Sequence, residues 1–241
     1  MTITGLRRIT LLGITAAFGI EAGNFEFNGN QTIAFTGLGS VTITSVAGVV
    51  TINIDPGNTV AGAVTTTINA AAAGNNIATF GRSGLESMTF ANPTVGLVVI
   101  GDSNDDDTIT FTSLDANFRA AITVDTMSGG SVADVINVNT ALNLGSGTSN
   151  GNLLLTSETI NLGANINTDA SGTAGTATFN GTTRLTTAAV TIDTDGTTAD
   201  GAILINGTTT ADMEERDLNL NAGSATVTLA SFDGSGGGFV N

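Results

Sequence analysis

Apolar residues alternate with polar ones along almost the whole chain, in runs of three to five residues. Because successive side chains of a β-strand point to opposite faces, a period of two predicts short strands with one buried face. The alternating sets are Phe25/Phe27, Ile33/Phe35, Val41/Ile43, Val50/Ile52/Ile54, Ile109/Phe111, Ile122/Val124, Ile136/Val138, Leu142/Leu144, Ile160/Leu162, Val190/Ile192, Leu218/Leu220 and Val227/Leu229.

Turn-forming dipeptides separate these runs, among them Asn180-Gly181 and Asn206-Gly207. Glycine and asparagine adopt positive φ at low cost, so they favour tight turns between strands. No segment has the helical period of 3.6. We therefore expect an all-β fold with no helix longer than about three turns.

The strand pattern repeats along the second half of the chain. Residues 179–183 (FNGTT) recur as residues 205–209 (INGTT), 26 positions later, and Val190/Ile192 recur as Leu218/Leu220, 28 positions later. Repeats of this length are typical of solenoids, in which each unit buries its apolar face by stacking on its neighbours. With only 5% aromatic residues, the chain favours a β-solenoid over the alternative, a β-sandwich-type filament subunit.

A shift in composition near residue 95 predicts two regions. Residues 1–95 would form an N-terminal β region with an apolar first segment, and residues 96–241 a solenoid of strand repeats. Arg7 and Arg8 precede an apolar stretch, residues 9–20, which has the features of a signal peptide. Our preferred interpretation is that this stretch forms the first strands of the fold and takes part in assembly.

Composition excludes several kinds of function. The chain has no Cys, His, Trp, Tyr or Lys, and a net charge of −15. Zinc, haem, copper and thiol chemistry lack their usual ligands, and a serine nucleophile lacks a His or Lys base. The negative charge disfavours nucleic acid and anionic membrane surfaces as partners, and no apolar run is long enough for a membrane span. We expect no enzymatic activity.

Five stretches, in this order, resemble the strand repeats of filamentous-haemagglutinin-like and autotransporter-type bacterial surface proteins. They are residues 106–111 (DDTITF), 140–145 (TALNLG), 151–162 (GNLLLTSETINL), 200–207 (DGAILING) and 217–223 (DLNLNAG). The resemblance covers about residues 96–241. It implies a right-handed parallel β-solenoid at the cell surface, adhesive or structural, with no catalytic residues to carry over.

Two groups of acidic residues are candidate sites. Asp102, Asp105 and Asp107 supply several oxygen ligands in six residues and form a candidate calcium turn, the only cofactor the sequence suggests. The alternative is a solvated acidic turn between two strands. Asp193, Asp195 and Asp200 form a second acidic series. Paired carboxylates suit a glycosidase, but the aromatic platforms such sites use are absent.

Three asparagines beside strand ends, Asn137, Asn161 and Asn219, are expected to face inward and to form side-chain ladders between coils. Asn30, Asn180 and Asn206 match the N-glycosylation acceptor pattern, which arises by chance in a chain rich in Thr and Asn. Neither group indicates a binding site.

These observations predict a non-catalytic structural or adhesive protein located outside the cell. Its expected partner is a second copy, bound head-to-tail by β-augmentation through the apolar N-terminal run, or the rest of a longer polypeptide. Two alternatives remain: a subunit of an extracellular filament or surface layer, and a carbohydrate-binding or polysaccharide-degrading β-helix.

Overall fold

The structure is a computed structural model of the chain. It describes the N-terminal strands given below up to residue 43 and then residues 46–53, 65–70, 74, 77–82, 87–101, 106–127, 133–145, 150–169, 172–212, 215–233 and 239–240. These residues form strands and turns, and none of them lies in a helix.

The described strands number 22. The first nine are β1 (Thr2–Thr4), β2 (Thr15–Phe18), β3 (Ala22–Phe27), β4 (Gln31–Thr36), β5 (Val41–Ile43), β6 (Val49–Asn53), β7 (Thr65–Ala70), β8 (Ile77–Arg82) and β9 (Met88–Ala91). The others are β10 (Gly96–Ile100), β11 (Thr108–Phe111), β12 (Ala121–Asp125), β13 (Val135–Val138), β14 (Leu142–Asn143), β15 (Leu153–Leu162), β16 (Ile166–Asn167), β17 (Ala177–Leu185), β18 (Ala189–Asp193), β19 (Ile203–Ala211), β20 (Asp217–Asn221), β21 (Val227–Phe232) and β22 (Phe239–Val240).

Three parallel faces run along the stack of coils. Face A consists of β6, β10, β12 and the first halves of β15, β17, β19 and β21. Face B consists of β7, β11, β13 and the second halves of the same four long strands. Face C consists of β14, β16, β18, β20 and β22.

The chain passes from face A to face B to face C and then begins the next coil, giving a β-solenoid of about five turns. The two sequence repeats lie directly above one another: Phe179 pairs with Ile205, and Val190 pairs with Leu218. The predicted all-β solenoid is therefore confirmed. Parallel stacking also continues across residue 95, from β10 back to β6, while the division of the chain into two regions stays a prediction.

The core is a set of apolar columns inside the coils. One column contains Ile52, Val99, Val124, Leu155, Phe179 and Ile205, all fully buried. The alternation seen in the sequence places the intervening residues on the outer surface, as expected for strands with one buried face. Val227, in the last coil of face A, departs from the pattern and is 43% exposed.

Antiparallel strands lie against the first parallel coil. On face B, β8 pairs with β7 and β9 with β8, both antiparallel. On face A, β2 pairs with β6 in parallel and with β3 in antiparallel orientation, and β4 continues this sheet. The two described strands of the apolar N-terminal run thus pair within the chain, β1 with β4 and β2 with β6. No helix in the described part is long and apolar enough to cross a membrane.

Glycine shapes the corner between faces A and B. Gly181 has a φ of 131°, a conformation that other residues rarely adopt. A Cβ at this position would overlap the carbonyl oxygen of Ser157 in the preceding coil. The register of β15 and β17 shifts at this point, between Thr156 and Thr159, so Gly181 lies opposite a β-bulge. The corner therefore requires glycine for two separate reasons.

Candidate functional site

The structure describes one residue of the predicted calcium turn. Asp102 and Asp105 lie outside the described residues. Asp107 is completely buried at the corner before face B, and its backbone N–H donates a hydrogen bond of 2.7 Å to Oδ1 of Asp134. Asp134, also completely buried, occupies the same corner in the next coil. Its N–H donates in turn to Oε2 of Glu158, at 3.1 Å.

Asp107, Asp134 and Glu158 therefore form a column of carboxylates. The side chain of each later coil accepts the backbone N–H of the coil before it. Among the residues that the structure describes, no group of three or more acidic side chains is arranged to hold a metal ion. Asp107 thus takes part in a hydrogen bond that connects two successive coils. The calcium turn stays a prediction.

The second acidic series lies at the end of face C. Asn167, Asp193 and Asn221 occupy one outward column on this face. The side-chain oxygen of each accepts the N–H of the residue two positions later, at 2.6, 3.1 and 3.5 Å respectively. These three coils thus leave face C through the same kind of turn, in which an Asn or Asp side chain replaces a backbone acceptor.

Hydrogen bonds from the next coil hold the carboxylates of this series. Asn221 Nδ2 donates to Asp193 at 3.1 Å and to Asp195 at 3.4 Å. Ser224 donates to Asp200 through its hydroxyl, at 2.5 Å, and through its backbone N–H, at 2.7 Å. The hydroxyl of Ser224, followed by its N–H, lowers the pKa of Asp200 below its ordinary value. A glycosidase general acid needs a raised pKa, so this shift has the wrong direction for that role.

Asparagine ladders connect coils on the outer surface. On face B, Asn161 Nδ2 donates to Asn137 Oδ1 at 2.8 Å, and Asn137 Nδ2 donates to Thr110 Oγ1 at 3.2 Å. The predicted ladder between Asn137 and Asn161 is confirmed, but its inward orientation is wrong. Asn137 lies between the buried Ile136 and Val138, so strand alternation turns it outward. Asn219 lies on face C, opposite Thr191.

A second ladder, which we did not predict from the sequence, contains two of the glycosylation-pattern residues. Asn206 Nδ2 donates to Asn180 Oδ1 at 2.8 Å, and Asn180 Nδ2 donates to Thr156 Oγ1 at 3.1 Å. These nitrogens are the atoms to which an N-linked glycan would be attached. In the folded solenoid both are already engaged between coils. Asn30 lies outside the described residues.

The outer surface of face A has a regular composition. The central outward column alternates between threonine and aliphatic side chains from coil to coil: Thr51, Val98, Thr123, Leu154, Thr178, Leu204 and Thr228. This pattern has a period of two coils, so it becomes visible only when the register of the strands is known. No signal in the linear sequence indicates it.

The last coil has an open edge. Among the described residues, β21 pairs only with β19, and no described strand lies along its opposite side. Val227, its first residue, is 43% exposed. Within the described part of the chain, this end of the stack therefore presents a strand edge together with a partly exposed core residue.

No protein-family model, curated protein or solved structure gives a significant match to the chain. The resemblance to surface-protein repeats therefore remains an expectation from the sequence.

Proposed function

We propose that this chain is a non-catalytic structural protein of the cell exterior, which works as a stiff rod and extends by stacking on another coil. The added coil comes from a second copy or from the rest of a longer polypeptide. The observation that carries the proposal is the open edge of β21, together with the exposed core residue Val227.

The hydrogen-bonding pattern indicates which groups face this edge. Ile203 N–H donates to the carbonyl of Thr226, across the β19–β21 pair. In a parallel ladder the backbone groups of successive residues point to opposite sides. The N–H and C=O groups of Val227 and Leu229 therefore point away from β19, toward the open edge. Such an edge is a template for pairing with a further strand.

The internal organisation supports a mechanical role. The carboxylate column and the two asparagine ladders connect the successive coils from β11 to β19 through side chains, in addition to the backbone ladders. Six arginines and no lysine leave few trypsin sites, which suits a protein exposed to proteases. Location outside the cell is supported by the resemblance to surface-protein repeats.

Val227→Pro tests association through the edge. Proline is tolerated at the first residue of a strand, and here it removes an N–H that points to the open side without removing a β19 hydrogen bond. Val227→Thr is the matched control, since it keeps both the N–H and the β-branched shape. Size-exclusion chromatography and negative-stain imaging should show end-to-end assemblies for the wild type and for Val227→Thr, and shorter particles for Val227→Pro.

A wild-type protein that stays monomeric and compact at high concentration would contradict the self-associating form of the proposal. Equal assembly of Val227→Pro and the wild type would show that the β21 edge is not the contact.

A further inference from the structure

Face A differs from the other two faces in its outward residues. Aliphatic side chains project from it in several coils, namely Val49, Val98, Ile100, Leu154 and Leu204. Faces B and C carry mostly Thr, Asn and Asp at the corresponding positions. Within the described part of the chain, face A is thus the surface on which outward aliphatic residues concentrate.

The most exposed apolar residues border the same face. Four large apolar side chains are strongly exposed among the described residues: Val46 (61%), Val95 (52%), Val227 (43%) and Met127 (41%). Val46, Val95 and Val227 lie just before or at the start of face A strands, and Met127 lies two residues after β12. Exposed apolar patches on a soluble protein mark interaction sites, and these side chains add apolar surface to the borders of face A.

Face A carries little charge. Among its described outward positions Asp125 is the one charged residue, and its Oδ1 accepts the N–H of Met127 at 3.0 Å. Face B carries Arg184, and face C carries Asp193 and Asp217. Two copies of a chain with a net charge of −15 repel each other, and like charges brought together at a contact add to this cost. A contact between two copies through face A therefore brings few like charges together.

We propose that face A is a lateral docking surface for face A of a second copy, so that rods associate side by side. This inference rests on the proposed structural function and adds a second contact to it. The alternation of Thr and aliphatic residues gives each copy a row of small and large side chains with a two-coil period. When two such rows meet with an offset of one coil, Leu154 and Leu204 of one copy fall opposite threonines of the other.

The area of face A indicates that two single solenoids bind weakly and that longer rods bind more tightly. Strands stack about 4.8 Å apart, and alternate residues along a strand are about 6.8 Å apart. From β6 to β21, with three outward residues per strand, the face covers about 400–600 Å². A stable dimer needs about 800 Å² per partner. A single pair of solenoids therefore binds weakly, and rods extended through their ends bind more tightly because many faces act together.

Introducing negative charge on face A provides the main test. Leu154→Asp/Leu204→Asp places two carboxylates in the central column of face A. Asn165→Asp/Asn219→Asp is the matched control, because it adds the same charge to face C in nearly isosteric form. Sedimentation equilibrium should show lateral association at least about tenfold weaker for the face A variant, and unchanged for the control. Circular dichroism verifies that both variants are folded.

Cross-linking provides a second readout that does not depend on destabilisation. The chain has no cysteine, so Thr178→Cys on face A and Thr191→Cys on face C each introduce a single thiol. A short bifunctional thiol reagent should join two copies of Thr178→Cys and leave Thr191→Cys monomeric. Equal cross-linking of both, or none at Thr178→Cys together with unchanged association of the charge variant, would overturn the lateral contact. The same comparisons in the Val227→Pro background, which removes the end contact, should show weaker lateral association overall but the same difference between the face A variants and their controls, so the two contacts are tested separately.

Discussion

Asn161 donates a hydrogen bond of 2.8 Å from its side-chain amide to the side-chain oxygen of Asn137, 24 residues earlier in the chain. Asn137 uses its own amide to reach Thr110, 27 residues earlier. A single side chain therefore connects three consecutive coils of face B, and its removal affects both interfaces at once.

We expect Asn137→Ala to lower the free energy of unfolding by about 1–2 kcal/mol, because two partly buried hydrogen bonds are lost and each contributes about 0.5–1.5 kcal/mol. The matched control is Asn143→Ala, at an exposed position of face C, which should change stability by less than about 0.5 kcal/mol. Urea unfolding followed by circular dichroism measures both. Equal changes in the free energy of unfolding for the two substitutions would show that the hydrogen bonds of the ladder do not stabilise the fold.

Gly181→Ala should destabilise the protein by about 2 kcal/mol or more. The substitution combines a φ of 131° with an overlap between the new Cβ and the carbonyl of Ser157, and an L-residue in a left-handed conformation alone costs about 1–2 kcal/mol. Gly74→Ala separates the two effects, because Gly74 has a φ of 72° and no atom near the position of a Cβ. Thermal unfolding of both variants should show the larger loss for Gly181→Ala. If both variants lose the same stability, the overlap between the new Cβ and the carbonyl of Ser157 does not contribute to the destabilisation.

Ser224→Ala should weaken the protein in a pH-dependent way. The hydroxyl of Ser224 is the main cause of the lowered pKa of Asp200. A carboxyl whose folded-state pKa is lowered adds stability above its unfolded-state pKa, about 3.9, and this stability is lost as the pH falls through the folded-state value. The difference in melting temperature between wild type and variant should therefore be present at neutral pH and shrink below about pH 4.

Ser231→Ala serves as the control for this titration. Ser231 donates to the hydroxyl of Thr208 at 3.0 Å, so no titratable group takes part in the interaction. Its effect on stability should not change between pH 7 and pH 3 relative to the wild type, within about 0.5 kcal/mol. An NMR titration of Asp200 gives the direct measurement. The pKa should rise toward its ordinary value in Ser224→Ala, and an unchanged pKa would contradict the assignment.

Calcium at a millimolar concentration should leave the melting temperature unchanged. Asp107 is buried, and its backbone N–H donates a hydrogen bond to the side chain of Asp134. The residue is therefore already part of the carboxylate column. A ligand that binds only the folded state would raise the melting temperature by mass action. A rise that disappears on adding a chelator, and in Asp102→Asn/Asp105→Asn, would establish the calcium turn instead.

The sequence predicted the strands well because their period of two survives in almost every coil. It also predicted the stacking, since offsets of 26 and 28 residues correspond to the observed pairs Phe179–Ile205 and Val190–Leu218. The orientation of Asn137 could have been inferred correctly from the same alternation, because its neighbours Ile136 and Val138 are both apolar.

Other features depend on information that a linear pattern does not contain. Apolar and polar residues alternate in the same way in parallel and in antiparallel strands. The pattern of residues 65–91 therefore did not indicate the antiparallel pairing of β7, β8 and β9. Asp107 belongs to an acidic run that reads as a solvated turn, and only the register with Asp134 places it inside. The composition of face A likewise follows from the order of stacking, which brings together residues that are far apart in the chain.

The one-coil repeat has a consequence for how such a chain changes over evolutionary time. Ala177 lies directly against Ile203, and Leu153 lies against Ala177, so loss of residues 177–202 would bring equivalent apolar residues of β15 and β19 together. Because stacked units interact only with their nearest neighbours, stability rises or falls by about one interface for each unit gained or lost. Duplication or deletion of a short gene segment can thus lengthen or shorten the rod in steps of a single strand spacing, about 4.8 Å, without a new fold having to arise.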